Sequence, residues 1–210
     1  MNQPELVAEL KRFLASSYPD IRIEAKPLQQ DASRLALYFT EDKFSVLYPQ
    51  QRYHYLVHHI PQDFFNRHLT NTVWFELAPG ETVQDLRYPD EQFIASISSN
   101  VLATVERAGV FSALDDLLAP EASSAAAASC HGDFRHTKAV LGQTGFGQCG
   151  QVDEVFDVCH VFMAKGGFCD CEILFNVLEM NRLKSRYWKK RAEEAQGGAG
   201  PNERERDHPH

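Results

Sequence analysis

Two cysteines one residue apart, Cys169 and Cys171, follow a glycine pair in the stretch Gly166-Gly167-Phe168-Cys169-Asp170-Cys171-Glu172-Ile173-Leu174. Thiols at i and i+2 project to the same side of an extended or turning backbone, whereas inside a helix they diverge by roughly 200°. The pair therefore belongs to a turn at a helix entrance, with the glycines ending one helix and Glu172 opening the next. Unpaired N–H groups and the positive end of the helix dipole favour thiolate over thiol there, and thiolate is the form that binds zinc.

The chain has five cysteines, Cys130, Cys149, Cys159, Cys169 and Cys171, all in its last two-fifths. An odd number in one region, with no apolar leader in the first nine residues, favours metal or thiol chemistry over a disulfide framework. A bridge between Cys169 and Cys171 would close a small, strained ring. No run of about 18 apolar residues occurs, so the expectation is a cytoplasmic protein with no membrane contact. A length of 210 residues with 43% apolar and 24% charged content suits a folded protein of one or two domains. The formal net charge of -8 repels phosphate backbones and makes nucleic acid an unlikely partner.

The first 118 residues read as an α+β domain. Val7, Leu10, Phe13 and Leu14 recur at helical spacing. Ile21-Arg22-Ile23-Glu24-Ala25, Leu35-Ala36-Leu37-Tyr38-Phe39-Thr40 and Phe44-Ser45-Val46-Leu47-Tyr48 read as strands, the last two as a hairpin, and Thr72-Val73-Trp74-Phe75-Glu76-Leu77 as a fourth. The expected architecture is an antiparallel sheet with helices on one face. Between these strands lies a histidine-rich helix in which His54 and His58 stand one turn apart; with no third ligand at helical spacing, it reads as a hydrogen-bonded face. A long helix carrying Phe93, Ile94, Ile97, Val101, Leu102 and Val105, then a shorter one with Phe111, Leu114 and Leu118, complete the domain. Residues 119–129, rich in Ala and Ser, read as a linker.

Residues 130–195 read as a helical metal-binding module, and 196–210 as a disordered tail. Cys130, His131 and His136 open the module; a glycine loop with Cys149 and a helix with Cys159 on its apolar stripe separate them from Cys169 and Cys171. Cys159 reads as a core residue and Cys149 stays unassigned. Cys130, His136, Cys169 and Cys171 supply three thiolates and an imidazole, the set of a closed tetrahedral zinc site, with His131 as the alternative imidazole. Asn176 is placed to brace this site. Cys130 with Arg135-His136-Thr137, and then Gly-Gly-Phe-Cys-Asp-Cys-Glu-Ile-Leu-Phe-Asn-Val at 166–177, resemble a bacterial family catalogued as domain of unknown function 2695. The resemblance spans 130–178 and implies no biochemical role; the N-terminal domain lies outside it.

The final helix turns basic, with Arg182, Lys184, Arg186, Lys189, Lys190 and Arg191 around Tyr187 and Trp188. It is the one candidate surface for RNA or an acidic protein, and otherwise a solvated helix whose cations suit the dipole. No nucleotide loop, nucleophile elbow or paired-carboxylate motif is present. These features together define a non-enzymatic binding protein with an unknown protein partner and a structural zinc module. The alternative is a metal-dependent hydrolase, with Glu172 or Asp170 as general base, or a thiol-redox protein using Cys169 and Cys171.

Overall fold

A computed structural model describes residues 2–28, 31–119, 130–145, 154–179 and 181–197. Helix α1 (Gln3–Leu14) starts from a reciprocal cap: the Asn2 side chain accepts from the Glu5 N–H at 2.9 Å and the Glu5 carboxylate accepts from the Asn2 N–H at 3.1 Å. Its Leu6, Leu10 and Leu14, spaced four apart, bury one stripe against the sheet.

That sheet has three strands in the order β1 (Arg22–Leu28), β2 (Asp31–Thr40), β3 (Thr72–Leu77). The fold is α+β as the pattern implies, but the sheet is mixed. β1 pairs antiparallel with β2, Ile23 opposite Phe39, while β3 runs parallel to β2 with Glu76 opposite Phe39. The expected hairpin strand at Phe44 is instead a 3-10 turn (Asp42–Val46). Phe44 is wholly buried and Val46 is 53% exposed, so one aromatic ring anchors the segment and the alternation that suggested a strand has no second buried member. The chain then crosses through α2 (Pro49–His58) and α3 (Gln62–His68) before β3, a connection long enough to bring the next strand back parallel.

Helices α4 (Glu91–Arg107) and α5 (Val110–Leu118) follow, the first capped by Asp90, whose Oδ1 accepts from the Gln92 and Phe93 N–H groups. Beyond them lie α6 (Arg135–Gln143), α7 (Glu154–Ala164), α8 (Asp170–Glu172), a π-helical turn (Ile173–Val177) and α9 (Arg182–Gly197). The expected linker lies, but for Ala119, outside the described residues, as do Cys149 and the last 13 positions, 198–210, of the expected tail.

Two apolar cores result. The first joins α1, α2, α3 and the sheet around Leu37, Phe39 and Leu56. The second gathers Val105, Phe111 and Leu114 from α4 and α5 with Phe134, Leu141, Phe162, Ile173 and Leu174, so it draws on chain from both sides of the 119–129 segment. Asp115 of α5 reinforces this: its carboxylate accepts from the Arg182 side chain at 2.7 Å and from the Leu183 N–H at 3.2 Å, capping α9 from another helix. No helix among the described residues is long and apolar enough to cross a membrane.

Candidate metal centre

The glycine pair closes α7 and sets the cysteine turn. Gly166 has φ +84, the left-handed region in which a helix commonly ends, and its N–H donates to the Met163 carbonyl. Gly167 serves a different need: a Cβ there would lie 3.1 Å from the Ile173 Cα, so only glycine lets the two turns approach this closely. The Asn176 amide donates to the Gly166 carbonyl at 2.6 Å, bracing the turn from the helix that follows.

The next helix opens at Asp170, two residues earlier than the sequence pattern places it, with Cys169 extended at the cap position. Cys171 is thus in the first turn, and the two sulfurs lie 3.3 Å apart. Cys130 comes in from the segment before α6. Its Sγ and those of Cys169 and Cys171 all lie within 4.8 Å of one another, a group that can hold a metal ion. Cys169 is buried, Cys171 half-buried and Cys130 exposed. Hydrogen bonds from the Cys169 and Cys171 thiols pull Cys130 far below the ordinary thiol range, and the same bonds to Cys130 push Cys169 and Cys171 up.

His136, the expected fourth ligand, is not in that group, and neither is His131. The Asp170 side chain caps the helix that carries His136. Its Oδ2 accepts from the His136 N–H at 3.1 Å, and its Oδ1 from the Thr137 N–H at 2.9 Å and the Thr137 hydroxyl at 2.7 Å. These are the second and third N–H groups of α6, whose own cap position is Phe134, a residue with no side-chain acceptor. Asp170 is wholly buried, and its N–H donates in turn to the Asp133 carbonyl at 3.1 Å. Burial raises its carboxyl above the usual range while the bonds from α6 oppose that rise. The middle residue of Cys-Asp-Cys thus joins the two cysteine segments. Phe134 offered the sequence-level signal: a helix start without Ser, Thr, Asp or Asn requires an acceptor from elsewhere.

Helix α2 holds the cysteine turn from the other side, a contact that the linear sequence does not suggest. The Gln51 amide and the Tyr55 hydroxyl both donate to the Phe168 carbonyl, at 2.7 and 3.0 Å. His54 stacks on the Phe168 ring with centroids 3.8 Å apart and planes 4° from parallel. Residues 51, 54 and 55 share one helix face, so α2 docks through it. His54 and His58 belong to no group of ligand atoms close enough for a metal; His58 Nδ1 is 3.0 Å from the His54 carbonyl, as a hydrogen-bonded face requires. Cys159 is wholly buried, and burial pushes its thiol up to about 12, which makes it a core residue.

No protein-family model matches this chain, and neither a curated protein nor a solved structure does. The resemblance of 130–178 to the domain-of-unknown-function family accordingly rests on the motif residues themselves. What the chain displays is a mixed α+β fold with a three-cysteine cluster between two helix entrances.

Proposed function

We propose that Cys130, Cys169 and Cys171 bind a zinc ion as three thiolates, with an imidazole from His136 or His131 completing the tetrahedral shell, that this ion is structural, and that the chain acts as a cytoplasmic binding protein rather than an enzyme. The convergence of three sulfurs from two segments within 4.8 Å carries the reading. Zinc with bonds of about 2.3 Å to sulfur spaces tetrahedral thiolates roughly 3.8 Å apart, so small side-chain adjustments suffice. Thiolate is the ligand form, so zinc binding releases thiol protons. A metal there ties the entrance of α6 to that of α8 at the point where Asp170 already joins them.

The hydrolase alternative finds less support. Both oxygens of Asp170 are committed to α6, and Glu172 Oε2 accepts from the Phe168 N–H at 2.9 Å, which places that carboxylate in the turn's own hydrogen bonding. A thiol-redox role is favoured by one observation, the exposed Cys130 beside the sulfurs of Cys169 and Cys171. The two readings separate in one experiment. Protein purified under reducing conditions is analysed for metals, then its free thiols are counted with a chromogenic disulfide before and after chelation. The structural reading expects about one zinc per chain and three thiols that become reactive only on chelation. Metal-free protein that forms a reversible Cys130 disulfide would overturn it.

A further inference from the structure

A groove of about 1090 Å³ runs along the outer side of β3, separated from the cysteine turn by the His54–Phe168 stack. Four residues of β3, Thr72, Val73, Trp74 and Glu76, line it, Trp74 and Glu76 from the same face of the strand. Helix α2 forms one wall and α4 the other. The floor residue at its end is unusual. Glu76 is 2% exposed, and its Oε1 has no hydrogen-bond partner among the described residues.

A buried carboxylate normally has a cation beside it, because an isolated charge in an apolar setting is costly. Arg52 is close enough to serve, yet it is engaged elsewhere. Its Nη1 donates to the Glu76 backbone carbonyl at 2.6 Å, and its guanidinium pairs with the Glu81 carboxylate through both terminal nitrogens. Burial pushes the Glu76 carboxyl up to about 7, a rise that the nearby Arg52 charge and a backbone hydrogen bond only partly oppose. Burial shifts the imidazoles of His54 and His160, which line the same groove, down, that of His54 to about 4. The indole N–H of Trp74 is already given to Thr72 Oγ1 at 2.7 Å, and Tyr53 packs edge-on to that ring at 5.4 Å. So the groove offers aromatic surface and a carboxylate oxygen in need of a donor, with Glu91 on the α4 wall as a second acidic group.

We infer that this groove binds a protonated primary or secondary amine carrying an apolar body, with Glu76 as its counter-ion and Trp74 and Tyr53 against its chain. The amine N–H supplies the donor that Oε1 lacks, and the aromatic faces favour a cation over a neutral group of the same shape. A quaternary ammonium would satisfy the rings but leave Oε1 without a bond. The inference gives the binding-protein reading a ligand class and is independent of the metal, so failure of the zinc test leaves it standing and its own failure leaves the zinc.

The full-length protein is titrated calorimetrically at pH 8 with phenylbutylamine, with phenylbutanol and with phenylbutyrate. The amine is expected to bind at least about tenfold more tightly than the alcohol, the worth of a charge-assisted hydrogen bond, and the acid more weakly than either. E76Q should erase the preference for the amine while leaving the alcohol unchanged. Ala95→Trp, on an exposed position of the groove wall that tolerates a large residue, should weaken all binding. Equal affinity for amine and alcohol, an amine preference that survives E76Q, or no binding of any of the three probes overturns the inference.

Discussion

The cysteine cluster and the groove beside it lie on opposite sides of one aromatic stack, and they treat buried polar groups in opposite ways. At the cluster, Asp170 is as deeply buried as any residue in the chain, yet its oxygens take three donors. In the groove, Glu76 is nearly as buried and one of its oxygens takes none. Polar groups that satisfy one another lock chain segments together; a polar group left without a partner is a cost that persists where something else supplies the bond. The cluster is on this ground a centre of stability, and the groove a place of recognition.

The sharpest way to break that division is to remove a sulfur. Cys169→Ser is expected to abolish zinc binding and to lower stability by on the order of 5 kcal/mol, roughly 10–20 °C in Tm for a chain of this size. Chelation of the wild type should reproduce most of that fall, and thermal melts with and without chelator measure it. Cys159→Ala, equally buried but far up α7, should leave the metal content unchanged and cost only about 1–2 kcal/mol for its small cavity. A chain that loses a sulfur at the cluster without losing stability would move the cluster to the functional side of the comparison.

Asp170→Ala comes next. It strands the His136 and Thr137 N–H groups and the Thr137 hydroxyl in a buried setting, for a loss of about 4 kcal/mol by urea denaturation. Asp170→Asn keeps one acceptor and should recover about half. If Asp170→Ala costs no more than an exposed helix cap, about 1 kcal/mol, the joint between α6 and α8 is not what holds the cluster.

How much of this was legible in the sequence follows the range of each interaction. The helix periodicity, the α+β class and the convergence of Cys130 with Cys169 and Cys171 depend on local spacing and residue type, and all can be read from the chain. The mixed sheet cannot, because strand direction is decided by where a connection lands and not by the strand's own residues. Phe44 misleads for a related reason, since a lone buried ring in a 3-10 turn carries the same short apolar pattern as a strand. The cap that Asp170 places on the turn of His136, 34 positions away, cannot be read from the chain either. Asp115 capping α9 is equally invisible. The Glu76 carboxylate hides in plain sight, as an acidic residue in a strand looks solvent-facing until the partners of the neighbouring arginine are known.

A gentler perturbation acts on the groove. Burial raises the Glu76 carboxyl from 4.5 to about 7, so the folded state holds its proton more firmly than the unfolded chain. Stability from this group is therefore fully present below pH 4.5 and is lost as pH rises through about 7. Near it, Arg52 of α2 is paired with Glu81 of the loop before α4, and burial raises Tyr53 and Tyr88 further above this window. E76Q cannot ionise. It should match the wild type at pH 4.5 and exceed it by on the order of 2 kcal/mol at pH 8. Equal stabilities at pH 8 would mean that Glu76 is solvated, and the contrast with Asp170 would collapse.

The smallest effect tests whether the two regions are separate at all. His54 stacks on Phe168 and lines the groove, so it touches both. His54→Ala should cost about 1 kcal/mol at pH 7, the worth of a stacked pair beyond its area, and His54→Phe should keep that contribution. Burial holds the imidazole down at about 4 against an ordinary 6.5, which makes the folded state the weaker proton binder. The wild type therefore loses stability as pH falls from 6.5 towards 4, and His54→Phe should lose less over the same range. The Tm of both variants, followed from pH 7 to 4, reads this directly. If His54→Ala instead costs as much as Asp170→Ala and releases zinc, the stack is part of the cluster's frame and ligand in the groove would be felt at the metal. A cost near 1 kcal/mol with zinc retained means that α2 rests against the cysteine turn, held by Gln51 and Tyr55, and that the groove can fill or empty without loosening it.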